Sequence, residues 1–494
     1  MHNSFANYLL LEENHRMNEL RQVFRYKQLA GEIEHKILNE TYKPGEKLLS
    51  IRKLHKQSNL SISTVYKTYM ELETMGLIEA RPKSGYFVNP IALKQLKAPV
   101  FKKKPPTPRK VNLSSMINSV VSAINNPKFL PFGNSSMDAD LLPSKHFSRI
   151  LKEISHKDMK SMISYSLSEG DLELRRQLTL RTLGILEGIT PEDIIITNGC
   201  TEAVALALLA ITKPGDTIAI ETPTNFSFLQ LLKELGVLVM EVPTDPRYGV
   251  DIDELEKILH QNRIKTCLFM PNFHNPLGTI MSNDNKRKLC RLLHQYEIPV
   301  IEDDISTELY FEEQRPMPLK AFDERDLVLT CSSFSKTLAP GLRIGWIIPG
   351  MRFKEKIQRL KGGITISTST LNQYLITQFL TSGAYERHLR SLRTALKKQA
   401  IRTTLAVKEF FPPDTRLAVP KGGSFLWIQL NPNVDGVKLY RKALDHNISI
   451  IPGVVCSNSR LFKNYIQISF GAPFTSRIEQ GIKTLGTLIS EYYN

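Results

Sequence analysis

The sequence predicts an α/β protein in which a small, basic, mainly helical unit precedes a large unit built on a mostly parallel sheet. Three observations predict it. The chain has 494 residues and a net charge of +16, yet up to Lys110 it carries 20 Lys/Arg against 10 Asp/Glu, so over half of the excess lies in under a quarter of the length. The early segments have helical hydrophobic spacing, whereas the later ones read as strand, glycine turn and helix in succession. The length exceeds what one core accommodates and suits a small domain joined to a large one.

Residues 1–22 read as an extension of unknown role; the opening MHNSFANYLLLEENH has only a short apolar-aromatic run followed by acids, so no signal peptide is expected. KQLAGEIEHKILNETY then reads as an amphipathic helix with Leu29, Ile33 and Ile37 on one face. Pro44 and Gly45 turn the chain into a second short helix, IRKLHKQSN. Ser61 is placed to cap a third helix whose Val65, Tyr69 and Leu72 face the core, while Ser63, Thr64 and Lys67 lie on the opposite side. Gly76 ends that helix, and LIEARPKSGYFV reads as two short strands around a Pro-Lys-Ser-Gly tip.

Three helices and a hairpin make a winged helix-turn-helix, assigned to residues 23–91. Such a unit inserts its third helix N-terminus first into the major groove of double-stranded DNA, with Ser63 and Thr64 near base edges and Lys67 near phosphate. The run from PGEKLLSIRKL to GLIEARPKSGYFV resembles the GntR family of bacterial regulators over Tyr26 to Val88. The resemblance implies that Arg52 contacts DNA beside the Ser61 helix start, and that Lys83 and Ser84 lie on the wing. GntR proteins commonly have arginine just after the capping serine. Here that residue is Ile62, which points to a different base preference, toward a thymine methyl.

The stretch assigned as a linker, residues 92–115, contains KQLKAPVFKKKPPTPRKVN. It has seven Lys/Arg up to Lys110 and no acid, and Pro105, Pro106 and Pro108 disfavour helix. It reads as an extended, self-repelling tether, inert or in salt-sensitive contact with DNA phosphates.

The large unit, residues 116–494, carries the chemistry. EDIIITNGCTEAVALALLAI reads as strand, turn and helix, putting Gly199, Cys200 and Thr201 at a helix N-terminus that favours a phosphate. IKTCLFMPNFHNPLG ends a strand in a turn that aims Asn275 at a ligand oxygen. PVIEDDI sets Asp303 and Asp304 at a strand's carboxyl end, where open α/β sheets place ligands. In SSFSKTLAPGLRIGW, Lys336 follows a buried strand, Ser333 and Ser335 offer hydroxyls, and Arg343 offers a fork of donors for a phosphate dianion. An amine beside a phosphate clamp, with a carboxylate to hold a pyridine nitrogen protonated, is what pyridoxal phosphate requires of a protein.

The order helix-start phosphate site, Asn275, Asp303, Ser333, Lys336, Arg343 resembles the class I/II aminotransferase family of fold type I pyridoxal phosphate enzymes, from about Phe132 to the C-terminus. Asn275 and Asp303 are 28 residues apart and Asp303 and Lys336 are 33, each room for one βα unit and the next strand. The resemblance implies a large α/β domain and a smaller C-terminal α+β domain. It makes Lys336 the Schiff-base lysine, Asp303 the pyridine partner and Asn275 the ligand of the ring hydroxyl. Ser333, Arg343, Cys200 and Thr201 would hold the phosphate. Tyr165 would reach the phosphate site of a neighbouring subunit, which implies a homodimer.

Three departures accompany the match. The family places a substrate-carboxylate arginine in a motif of the type YIRISF, and here YIQISF puts Gln467 at that position. Ile305 and Ser306 stand where a tyrosine is usual, and the stacking aromatic of PTY becomes Pro223, Thr224, Asn225, with Phe226 able to stand in one residue later. Cofactor binding is therefore expected to persist while transamination is weakened or lost; Arg460 or Arg477 could supply the missing charge.

Five cysteines show neither CxxC nor disulfide-type spacing, which fits a reducing cytoplasm, and the run AVALALLAI is half of a membrane span. A GntR-type unit joined to an aminotransferase-like one is the arrangement of the MocR-type regulators. The expected function is a DNA-binding regulator whose large domain binds pyridoxal phosphate and senses an amine, an amino acid or the cofactor itself, on paired DNA half-sites. The alternative is a working aminotransferase with an attached DNA-binding domain.

Overall fold

The structure, a computed structural model, describes residues 25–39, 41–81, 84–90, 97–100, 106–111, 115–134, 136–154 and 156–493. The extension over 1–22, Lys83 at the wing tip and much of the charged stretch after residue 91 lie outside the described residues. The chain divides into two compact units, Met1–Gln95 and Leu96–Asn494.

In the first unit, helices Arg25–Leu38, Ile51–Ser58 and Ile62–Thr74 are followed by the antiparallel pair β1 (Ile78–Arg81) and β2 (Gly85–Val88). Ser50 and Ser61 cap the second and third helices through their hydroxyls, which accept from the amides of Lys53 and Thr64. The expected apolar faces meet: Leu29, Ile33 and Ile37 pack with Leu54, Val65 and Leu72 in one buried cluster. Tyr69 joins that cluster and donates its hydroxyl to the Leu49 carbonyl at 2.6 Å, so its polar end is satisfied inside a small core. Gly76, at φ 67°, takes the left-handed conformation that lets the chain leave the third helix.

In the second unit, nine strands form one mixed sheet. In chain order they are β3 (Arg109–Lys110), β4 (Ile195–Thr197), β5 (Thr217–Thr222), β6 (Leu238–Asp245), β7 (Gly249–Val250), β8 (Ile264–Phe269), β9 (Val300–Asp303), β10 (Val328–Ser333) and β11 (Gly345–Ile348). The sheet order is β3-β6-β5-β8-β9-β10-β11-β4, with β7 on β6; the pairs from β6 to β10 are parallel. Because β11 is antiparallel to both β10 and β4, β4 runs with the parallel set, and its carboxyl end reaches the same edge. A second, antiparallel sheet follows, β12 (Arg416–Leu417), β13 (Phe425–Gln429), β14 (Ile451–Pro452) and β15 (Tyr465–Ser469) in the order β12-β13-β15-β14. It shares a core with the long helix Ala384–Phe410 and the helix Ser476–Ser490, as the expected smaller α+β part requires.

The far end of the expected linker is not a free tether. Arg109 and Lys110 pair antiparallel with Val239 and Leu238 as the edge strand β3, Val111 is buried, and the Val100 carbonyl accepts the Tyr465 hydroxyl at 2.7 Å. A short, charged strand just after Pro108 suits a sheet edge, because proline has no amide to donate and the cations resist pairing with another chain. Charge density predicted solvation; the ladder bonds of an exposed β6 edge override it.

Candidate functional site

The carboxyl edges of β4, β8, β9 and β10 deliver the predicted residues to one place. Asp303 ends β9; Lys336 follows β10; Asn275 lies in the turn after β8; Cys200 and Thr201 begin the helix Cys200–Ile211 directly after β4. A cavity of about 290 Å³ is lined by Cys200, Thr201, Phe226, Asn275, Asp303 and Lys336, and is closed by residues of the second sheet, among them Gln467. Strand alternation sorts the acids of β9. Asp303 faces the cavity, whereas Glu302 and Asp304 engage a buried cluster on the other side. There Lys286 donates to Asn272 at 2.6 Å, Asp304 accepts from Asn272 and Thr307, and Glu302 accepts from Thr330. The family order had named Asp303, and the pleat turns that residue, not Asp304, to the cavity.

Asp303 accepts the amide of Ile305 at 3.1 Å and the Cys200 thiol at 3.4 Å. Burial pushes its carboxyl up to about 6, against the stabilising pull of those donors and of Lys336. Lys336 is partly exposed to the cavity, and desolvation lowers its amine to about 8, with Asp303 and Cys200 opposing and Arg343 reinforcing. A lysine so placed has a far larger neutral, nucleophilic fraction near physiological pH than an ordinary lysine.

The helix at Cys200 has Gly199 as its N-cap and no side-chain cap, so its first amides are available to an anion. Arg343 lies against that start: its Nη2 donates to the Asn198 carbonyl at 3.0 Å, and its Nη1 is 3.4 Å from Ser335 Oγ. A Cβ on Gly199 would come within 2.3 Å of Arg343 Nη2, so the close approach requires glycine here. Ser333 is buried and accepts the Ser335 amide at 3.2 Å, and the Ser335 hydroxyl lies 3.4 Å from Arg343 Nη1; neither Ser333 nor Arg343 is on the cavity lining itself. Tyr165 is 83% exposed and also stands outside the cavity lining.

Two features were invisible in the sequence. Gln467 is buried, its Nε2 donating to Asn275 Oδ1 at 3.0 Å across 192 residues of chain. The loop bearing Lys336 is tied to the long helix: Thr337 bonds the Tyr385 hydroxyl at 2.8 Å through Oγ1 and His388 Nε2 at 2.7 Å through its carbonyl. Tyr385 also donates to half-buried Glu308, which pairs with Arg181 and, at 3.5 Å, with Arg315. Neither charge that was a candidate to replace the missing arginine reaches the cavity. Arg460 lines a separate one with Met116 and Leu229, and Arg477 is exposed in the first turn of the helix Ser476–Ser490.

The first unit presents a second candidate site. Arg52, Ser63 and Lys67 are exposed, Thr64 is half-buried, and Ser84 is exposed beside the strand pair. Ser61, expected at the DNA interface with Ser63 and Thr64, caps the helix start, its hydroxyl bonding those of Ser63 and Thr64 at 2.9 and 2.8 Å. Ile62, Tyr66 and Met70 recur at a spacing of four on the same outer face, all at least 40% exposed, an apolar stripe suited to thymine methyl groups.

Residues 132–483 match the family described as Aminotransferase class I and II. The chain belongs to the class I and II aminotransferase family. Residues 25–88 match the gntR family of bacterial regulatory proteins, so the chain pairs a GntR helix-turn-helix with an aminotransferase-type domain, as MocR-type regulators do. It is 37% identical over 471 residues, 94% of this chain and 99% of the relative, to the uncharacterized HTH-type transcriptional regulator YdcR of Escherichia coli K12. Its fold resembles a kynurenine aminotransferase of Pyrococcus horikoshii solved in complex with PMP, with a TM-score of 0.72 and 27% identity, covering 78% of this chain and 96% of that one. It also resembles LysN, the alpha-aminoadipate aminotransferase of Thermus thermophilus, complexed with N-(5'-phosphopyridoxyl)-L-leucine, with a TM-score of 0.71 and 26% identity, covering 78% of this chain and 96% of that one.

The cofactor of this family is pyridoxal phosphate, and the donor set of the cavity fits it. Bound here, it would supply an electron-withdrawing ring and an aldehyde. Lys336 would hold the aldehyde carbon, Asp303 the ring nitrogen, Asn275 the ring hydroxyl, and the uncapped helix start with Arg343 the phosphate. Attachment to the chain, followed by absorbance, is expected to strengthen as pH rises through about 8, where Lys336 becomes neutral, rather than near the ordinary 10.5. On the acid side retention should weaken below about 6, as Asp303 takes up a proton and loses its hold on a protonated ring.

Proposed function

We propose that this chain is a bacterial transcriptional regulator that acts in the cytoplasm as a homodimer on paired operator half-sites. On this reading the first unit binds double-stranded DNA, while the second carries pyridoxal phosphate on Lys336 and senses an amine, an amino acid or the cofactor. The single observation that carries the reading is the union in one chain of an exposed recognition-helix face with a lysine and aspartate cavity. The names of relatives that share nearly the full length, HTH-type transcriptional regulators, support it. The exposure of Tyr165 supports a role toward a second subunit. Among the described residues no helix is long and apolar enough to cross a membrane.

The test is DNA selection from a random pool by the full chain, followed by titration of the selected site with and without pyridoxal phosphate and amines. Lys67→Ala is expected to weaken binding across sequences alike and to reduce the slope of log affinity against log salt by about 0.9 per half-site. Thr64→Ala should instead relax preference at individual base pairs by about 1–3 kcal/mol. A selected pool without paired half-sites, or an affinity indifferent to both the cofactor and amines, would sink the reading.

A further inference from the structure

The cavity beside Lys336 has two ends of different character. Cys200, Thr201 and Asp303 serve the cofactor end; toward the second sheet the walls are Val121, Ile124, Phe425 and Ile451, with Ile305 on the β9 side. Among the described residues lining it, Asp303 and Lys336 are the charged ones. A ligand carboxylate placed toward those walls would lose water and meet no cation but Lys336, which the cofactor engages, with only neutral groups, Asn225, Ser227 and Ser306 among them, as further polar contacts, and a buried anion without a partner is strongly disfavoured.

Gln467 sits at the centre of that apolar end. It occupies the middle of β15, opposite Trp427 on one neighbouring strand and Ile451 on the other, and its amide is bonded to Asn275. A neutral amide lacks the charged fork that grips a carboxylate in two parallel bonds. Nearby arginines do not compensate. Arg343 is held at the helix start by the carbonyls of Asn198 and Pro340, Arg460 lines another cavity, and Arg477 is on the surface.

Building on the cofactor reading above, we propose that the ligand accepted beside Lys336 is a primary amine that bears an apolar substituent and no carboxylate on its amine-bearing carbon. Gln467 is the specificity-determining residue. It keeps Asn275 oriented toward the cofactor and leaves the apolar end uncharged, so that an alkyl or arylalkyl chain fills the space that an α-amino acid would need to share with its carboxylate.

The experiment uses the full-length chain loaded with pyridoxal phosphate and matched pairs differing only by that carboxylate, phenethylamine with phenylalanine and butylamine with norvaline. Binding is read by calorimetry and by displacement of the Lys336-dependent absorbance band. Each amine is expected to bind on the order of tenfold to a hundredfold more tightly than its amino acid, the range a charge-assisted pair is worth. Gln467→Arg is expected to narrow or reverse that ratio. Amino acids that bind the unsubstituted chain as tightly as their amines, or a loaded chain that binds neither, would overturn the proposal while the cofactor reading stands. A chain without a Lys336-dependent band in excess cofactor would overturn both.

Discussion

Lys336→Ala, purified and saturated with pyridoxal phosphate, is expected to show no lysine-dependent absorbance band and to release the cofactor on dialysis, while the parent chain retains both. The effect is large because the remaining contacts are noncovalent and separable: a carboxylate for the ring nitrogen at Asp303, an amide at Asn275, and donors at the helix start. The substitution should leave the fold intact, since Lys336 is partly exposed to the cavity and the loop is held by its neighbours, Phe334 in the core and Thr337 on the long helix. Circular dichroism and the denaturation midpoint are the controls. A variant that keeps the band would remove Lys336 from the site.

Glu308→Ala should do the reverse, damaging stability first and cofactor retention in consequence. Glu308 is half-buried, and although desolvation pushes its carboxyl up, Arg181 and Arg315 outweigh that and hold it down at about 2. It therefore stays ionised across the working range of pH, and its stabilising contribution fades only as pH falls through the ordinary carboxylate range toward 2. Removing it leaves Arg181 with Glu386 and the Tyr385 hydroxyl with Thr337 as their remaining partners, a loss of about 1–3 kcal/mol by the usual cost of deleting hydrogen bonds to a charged group. Because Tyr385 also holds Thr337, the loop carrying Lys336 should loosen as well. Urea denaturation and the rate of cofactor release measure the two effects; a variant as stable as the parent would show that Glu386 alone satisfies the Arg181 charge.

What was legible in the sequence was local. The serine caps, the apolar faces of the three short helices, the glycine-started helix at Cys200 and the lysine after an apolar strand each depend on residues within a few positions of one another. The order of the cofactor residues carried further, because each sits at the end of a strand and the edge of a parallel sheet gathers strand ends. Contacts made across the fold were not legible. The partnership of Gln467 with Asn275 and the hold of Tyr385 on the Lys336 loop depend on side-chain directions set by strand register and helix rotation. The linker shows the same boundary: its composition spoke for solvated chain, and only the open flank of β6 explains why Arg109 and Lys110 form a strand.

All five thiols of the chain are unpaired and buried, and burial pushes each of them up, Cys200 further still through the Asp303 carboxylate beside it. Thiolate is the form that peroxide oxidises and that adds to aldehydes, and here it is suppressed at every position. The Cys200 sulfur, which lines the cofactor cavity, is thus held as the less reactive thiol. An oxidant should pass this protein without leaving a sulfenic acid, and a reactive carbonyl held beside Cys200 should survive for its intended amine.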